Sequence, residues 1–276
     1  MSKRKRPPRT ARGRINAPRT PPSHGRSTPP PRAGGGRAIW IYGQHAVLEA
    51  VRNSKRTRHR LIGTPQALEI LARSLGAGIT PDPMPESVDR ADVDSACGPD
   101  AVHQGIALLA DPLPDLDVED ILEGAPELDV IVVLDQATDP RNIGAVMRSA
   151  RAFGARAIIV QDRNAPPETG TMAKAASGAL EHAPLVRVTN LARAMWSLKD
   201  AGYWCLGLAG DGDAVIADVE IPERCVIVLG AEGSGLRRLT RETCDRLVRI
   251  PINTDAESLN LSNAAAVALY EVARRR

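Results

Sequence analysis

Four polar residues within six positions, Ser258, Asn260, Ser262 and Asn263, stand where an otherwise apolar C-terminal run begins: Ala264, Val267, Ala268, Leu269. Ser and Asn side chains accept bonds from the unpaired N–H groups of a helix start, so one of the four serves as a cap. One cap needs one such residue, and the rest read as polar groups gathered round a ligand. A second stretch, VIVLGAEGSGLRRLT (Val226–Thr240), runs from an apolar strand into Gly230, Gly233 and Gly235, with Glu232 among them. Glycines after a strand let backbone come close to a ligand and bend at positive φ. A third is LDQATDPRNIGAVMRSARAFGA (Leu134–Ala155). Asp139-Pro140 sets a turn there, Asn142 is placed to cap, and Arg148 falls about two turns into the helix, with Arg151 on the next turn. Taken alone, Arg148 reads as an ordinary solvated arginine.

Familiar phosphate-cradling loops do not fit the second stretch. GSGLRR departs from GxGxxG by ending in Arg238, and the preceding carboxylate of Glu232 would repel a pyrophosphate. A Walker-type loop ends in GK[ST], which Gly235-Leu236-Arg237 does not supply. The ligand expected instead carries a positive centre, or an adenosine held by backbone groups.

The elements that would position these loops form an α/β chain. Asp129–Leu134 is a continuous apolar run, as in a strand buried on both faces of a parallel sheet. A helix to Phe153, a strand at Ala157–Val160, a helical stretch Thr169–Leu180, a strand Leu185–Val188, a helix Leu191–Ala201, and strands at Trp204–Leu208 and Val226–Leu229 follow. A β-branched strand over Val248–Ile252 and a helix beginning at Ser258 close the chain. Such alternation predicts a parallel sheet with ligands at the carboxyl ends of its strands. Ahead of it, a strand at Ile39–Tyr42, a helix His45–Arg52, Leu61-Ile62, a helix Gln66–Leu75, the acidic stretch Asp82–Asp94 and a strand Ile106–Ala110 make a small α/β unit. His103, alone before a strand, reads as a structural hydrogen-bonding residue rather than a ligand. The expected division is a basic arm over 1–37, the small unit over 38–112, a linker over 113–126 carrying at most one helical turn, and the larger domain over 127–276.

Charge is unevenly spread. Residues 1–37 hold 11 of the 36 Lys and Arg and no acidic residue, which leaves 25 basic against 33 acidic side chains for the remainder. A Pro-rich basic arm of this kind cannot bury enough apolar surface to order itself. It suits salt-dependent, sequence-blind contact with nucleic-acid phosphates, a solubilising extension being the alternative. Cys97, Cys205, Cys225 and Cys244 show no CxxC spacing and read as reduced thiols of a cytoplasmic protein, and nothing suggests a metal site. No apolar run of about 18 residues is present for a membrane span.

Together, the three loops resemble the three signature motifs of the SpoU-type RNA ribose 2′-O-methyltransferases of the SPOUT superfamily. The pieces GQHAVLEAV and VHQGI are similar to the small RNA-binding domain of members that methylate a guanosine of large-subunit ribosomal RNA. The resemblance covers about residues 39–276. It implies a deep trefoil knot, with the segment from about Val248 threaded through a loop around Leu206–Ala231. It also implies S-adenosylmethionine as methyl donor, held by backbone groups near Leu208, Gly230, Ile250 and Leu259, and a homodimer with its sites near the interface. By family correspondence Asn142 and Arg148 face the substrate, Glu232 orients Arg148 or a neighbouring donor, and Ser258 and Asn260 shape the catalytic loop. Methylation of transfer RNA, or a non-catalytic RNA-binding or assembly role on the same fold, are the alternatives left open.

Overall fold

The computed structural model describes residues 38–276 except 77, 254, 256 and 257. The expectation of a disordered arm over 1–37 lies outside the described residues. Seven elements come first: β1 (Ile39–Tyr42), α1 (Gln44–Arg52), β2 (Arg58–Gly63), α2 (Pro65–Leu75), β3 (Pro85–Ser87), α3 (Arg90–Cys97) and β4 (Ile106–Ala110). They build a four-stranded sheet in the order β1-β4-β2-β3, with β4 antiparallel to β1 and β2, and β3 parallel to β2. Thr64 caps α2 by accepting from Ala67 N, and Pro65 occupies a first-turn position where no N–H is missed. The acidic stretch, to which no element was assigned, holds β3 and the start of α3. The start of α3 is fixed by the Asp92 side chain accepting from Asp89 N at 3.2 Å. His103 is fully buried: Nε2 meets Asp94 Oδ1 at 2.6 Å and Nδ1 accepts from Gly105 N, which ties α3 to the turn before β4.

After α4 (Val118–Leu122), the single turn in the linker, comes the larger sheet. Its elements are β5 (Asp129–Leu134), α5 (Pro140–Ala152), β6 (Ala157–Gln161), α6 (Gly170–Ala176), β7 (Leu185–Val188), α7 (Leu191–Asp200), β8 (Trp204–Leu208), β9 (Ala214–Val215), β10 (Arg224–Leu229), α8 (Arg238–Thr243), β11 (Arg246–Arg249) and α9 (Leu261–Ala273). Seven parallel strands lie in the order β7-β6-β5-β10-β8-β11-β9. Period-two alternation along β5 supplies both faces: Val130, Val132 and Leu134 join the core under α5, α6 and α9, while Ile131 and Val133 join the one under α4 and α7. Each of these fully buried aliphatic side chains contributes roughly 1.5–3 kcal/mol of transfer free energy.

Several details differ from expectation. The cap of α5 is Asp139, accepting from Arg141 N at 2.8 Å, and Asn142 lies within the first turn. The stretch Thr169–Leu180 is not one helix, because α6 ends where Ser177 and Gly178 both adopt positive φ, and a short 3-10 turn follows. The last strand is Arg246–Arg249 rather than Val248–Ile252, since Pro251 has no N–H to give a ladder. The last helix starts at Leu261, capped by Asn260 and not by Ser258.

The two sheets meet across a buried ion cluster. The fully buried Arg56 side chain pairs with Glu168 and Glu181 and donates from Nη1 to Asp111 O at 2.9 Å. Asn53 Nδ2 adds a bond to Glu181 Oε2 at 2.7 Å.

Candidate active site

Strand register decides which residues converge. Val228 of β10 lies opposite Gly207 of β8, and Val248 of β11 opposite Leu208, so the carboxyl ends of three adjacent strands release their loops together. Leu208, Gly230, Ile250 and Leu259 consequently line one cavity of about 270 Å³, which Glu232 and Ser258 also line. Leu261, Ala264 and Gly210 complete much of its wall and were not singled out in the sequence; the apolar periodicity of α9 was the available signal for the first two.

Gly230 is required by a close approach within the loop itself. A Cβ there would stand 2.1 Å from the Gly235 carbonyl carbon and 2.3 Å from Leu236 N. The loop closes on itself, with Gly235 N donating to Ala231 O at 3.0 Å. A side chain at position 230 therefore collides with its own loop before it reaches any ligand. The loop is also fastened to the β5–α5 turn: Arg237 donates from N at 3.0 Å and from Nε at 2.7 Å to the buried carboxylate of Asp135. Sequence reading missed this pair, whose members lie 102 residues apart.

Glu232 joins all three motifs. Its Oε1 accepts from Asn142 Nδ2 at 2.8 Å, from Asn260 Nδ2 at 2.7 Å and from Leu261 N at 3.2 Å. Asn260 Nδ2 also reaches Asn142 Oδ1 at 3.2 Å, while its own Oδ1 accepts from Ser262 N at 2.9 Å and Ser262 Oγ at 2.6 Å. Both amides are thereby turned and held by one carboxylate oxygen. The polar cluster at the helix start thus separates by task. Asn260 is cap and junction, Ser258 faces the cavity, Ser262 buttresses Asn260, and Asn263 is exposed without a hydrogen bond among the described residues.

Arg148 lies on the exposed side of α5 and makes no hydrogen bond or ion pair among the described residues. Of the two arrangements expected for Glu232, orienting Arg148 or a neighbouring donor, the contacts within one chain are with neighbouring donors, Asn142 and Asn260. The four cysteines are free; burial pushes the thiols up, Cys97 to about 11 and Cys225 and Cys244 to about 12, so they carry no nucleophile. No helix among the described residues is long and apolar enough to cross a membrane.

The cavity suits an adenosine bearing a cationic centre. Aliphatic side chains and glycine backbone supply an apolar slot with exposed peptide groups, and among the described residues Glu232 supplies the one carboxylate lining it. A polyphosphate would meet that carboxylate without a lysine or arginine among the described residues of the wall to offset it.

Residues 129–270 match the SpoU rRNA Methylase family, and residues 40–116 match the family described as RNA 2′-O ribose methyltransferase substrate binding. A 23S rRNA (guanosine-2′-O-)-methyltransferase RlmB of Vibrio vulnificus is 38% identical over 253 residues, covering 86% of this chain and 97% of the relative. The protein of that name from Photobacterium profundum is 46% identical over 179 residues, 64% of this chain and 73% of its own. Among solved structures, the SpoU methyltransferase AviRb from Streptomyces viridochromogenes, in complex with the cofactor AdoMet, aligns with a TM-score of 0.72 at 26% identity, covering 86% of this chain and 90% of that one.

Proposed function

The chain belongs to the SpoU rRNA methylase family, and from that premise we propose how it works as an S-adenosylmethionine-dependent methyltransferase acting on a guanosine ribose 2′-OH of 23S ribosomal RNA. The observation that carries the site assignment is the Glu232 junction, which draws Asn142, Asn260 and the cofactor cavity to one point. S-adenosylmethionine supplies, when bound, an electrophilic methyl on a sulfonium. The residues that would hold it are Leu208, Gly230, Ile250 and Leu259.

A ribose 2′-OH is a weak nucleophile at neutral pH, and it must approach nearly in line, at about 3–3.5 Å. The chain therefore has to place the ribose, ease proton loss and exclude water. Asn142 and Asn260, locked by Glu232, act as fixed polar groups for the sugar and its phosphate, and Ser258 shapes the loop over the cavity. Arg148 stabilises the developing alkoxide and clamps a phosphate; a guanidinium keeps its own proton and accepts no other, so the 2′-OH proton leaves to water or phosphate. Its exposed position supports a homodimer. The packed helices α5 and α9 expose Arg148, Val267 and Tyr270, and pairing of two copies across these helices would cover the apolar groups and set Arg148 beside the partner. A trefoil knot is supported by the close packing of β11 against the β8–β9 connection, where Ala209 N donates to Val248 O at 2.9 Å and Arg249 Nη1 to Gly212 O at 2.6 Å.

Residues 38–112 serve in this reading as the RNA-binding domain, 113–126 as its linker and 127–276 as the catalytic domain. The arm over 1–37 adds phosphate contacts; its removal lowers RNA affinity and flattens the salt dependence of binding without abolishing transfer. An unchanged salt slope would leave the arm a solubilising extension. The reaction itself is tested by incubating the protein and labelled S-adenosylmethionine with ribosomal or transfer RNA and mapping 2′-O-methyl groups. Label at a guanosine of 23S RNA is expected. Label confined to transfer RNA would reassign the substrate, and none in any RNA would leave an RNA-binding or assembly protein of the cytoplasm.

A further inference from the structure

A cleft of about 770 Å³ opens between the turn after α3, on the side of the smaller sheet, and helices α5 and α6. Asn142 and Asn260 line this cleft, while Glu232, the carboxylate they share, lines the cofactor cavity. The junction is the wall common to the two spaces. A ribose that meets the methyl donor at this wall has its base in the cleft.

Three charged groups lining the cleft lack an opposite charge among the described residues: Lys174, Asp100 and the exposed Arg141. Lys174 Nζ donates at 2.6 Å to Gln104 Oε1, a neutral amide, and forms no ion pair among the described residues. Burial holds its ammonium below the ordinary lysine value, the mark of a cation short of solvation. Asp100 has neither a hydrogen bond nor an ion pair to its side chain among the described residues. Lys174 is nevertheless aimed with care. Gln104 sits in the left-handed region at φ 57°, and its Oε1 accepts from Gln44 N at 3.1 Å as well as from Lys174. Gly43, at φ 91°, leaves the space that the lysine fills; a Cβ there would come 2.5 Å from Nζ. Holding a half-buried ammonium in one place against only an amide costs free energy, and a ligand bearing acceptors offsets that cost.

Guanine matches the pair. It presents O6 and N7 as adjacent acceptors, the pattern that lysine recognises, and N1–H and N2–H as donors suited to a carboxylate. Adenine would turn an amino donor toward the ammonium. A phosphate carries no donor for Asp100, and within this cleft it suits the exposed Arg141 beside Asn142 rather than the site between Lys174 and Asp100. We propose that this cleft receives the target guanine out of its stack, with Lys174 donating to O6 and N7 and Asp100 accepting from N1–H and N2–H. This rests on the methyltransferase reading above and adds to it the residues that choose the base.

The test uses the full chain and 23S RNA segments carrying the methylated guanosine or, at that position, adenosine, inosine or 2-aminopurine riboside, which lacks O6. For the wild-type protein, kcat/KM falls about 10- to 100-fold from guanosine to 2-aminopurine. Lys174→Met loses a similar factor on guanosine and distinguishes the two less sharply, the remainder coming from the N1–H that 2-aminopurine also lacks, while Lys174→Arg restores most of the difference. Asp100→Asn, at an exposed side chain with no partner to lose, narrows the preference for guanosine over inosine and over adenosine. Calorimetry with S-adenosylmethionine, unchanged in each variant, verifies the fold. Discrimination as sharp as wild type in both Lys174→Met and Asp100→Asn overturns the proposal, as does an equal loss on all four RNAs. Absence of transfer by the wild-type protein to any RNA refutes instead the reading on which it rests.

Discussion

Two junctions built on carboxylates join distant parts of this chain, and their surroundings set them apart. At Arg56, a fully buried guanidinium meets Glu168 and Glu181, with Asn53 and the Asp111 carbonyl completing the set. At Glu232, an exposed carboxylate gathers Asn142, Asn260 and the Leu261 N–H between a cavity and a cleft. The first has charges paired out of water, where breaking the pair strands the partner. The second leaves its groups within reach of a ligand and spends its hydrogen bonds on orientation. One device thus serves cohesion when closed and, in the proposed function, chemistry when open.

The comparison breaks most decisively at Arg56. Arg56→Met leaves two buried carboxylates without their cation, and a loss of about 3–5 kcal/mol is expected in denaturant unfolding, with activity per folded molecule retained. If that variant unfolds like wild type, the buried cluster is not a source of cohesion. At the open junction's border the expectation is reversed. Arg148→Ala cuts turnover by about a hundredfold while S-adenosylmethionine affinity, read by calorimetry, and stability change little; equal turnover would remove Arg148 from the mechanism. Asn260→Ala removes both a helix cap and one amide of the junction. It should cost about 1 kcal/mol in stability and lower turnover by roughly tenfold, measured with unfolding curves and labelled cofactor. Retained turnover at lowered stability would make Asn260 a cap alone.

The smallest effect is one of pH. Burial pushes the Glu168 carboxyl above its ordinary range, although Arg56 pulls it the other way. A carboxyl raised in the folded state favours folding most where it is protonated, below its unfolded value, and that gain is lost as pH rises through the raised value. The stability of wild type relative to Glu168→Gln should therefore fall as pH rises from about 4, the unfolded value, through the raised one. A difference that grows with pH would place the Arg56 attraction above the burial.

How much of this was legible in the sequence follows from range. β5 and β10 could be read because burial on both faces leaves an uninterrupted apolar run, Val130–Leu134 and Cys225–Leu229. Gly230 and Ser258 could be singled out because one follows such a strand and the other precedes the last helix, whereas Leu208, Ile250 and Leu259 came only with the resemblance to the SpoU-type enzymes. What escaped was set by contacts distant in sequence. Asp135 with Arg237, Arg56 with Glu168, and Lys174 with Gln104 are separated by 102, 112 and 70 residues, and no local pattern distinguishes these side chains from solvated ones. α3 was missed for the opposite reason: its acidic, weakly amphipathic residues look like loop, and only the Asp89–Asp92 box announces a helix.

One oxygen of Glu232 steers both amides, so neither can be adjusted alone. A lineage that altered the length or charge of residue 232 would misdirect positions 142 and 260 in the same generation, and repair would demand simultaneous changes in three separated codons. The geometry thus makes these three positions one unit under selection, whereas a change of a methyl group in the aliphatic lining disturbs no partner in the junction.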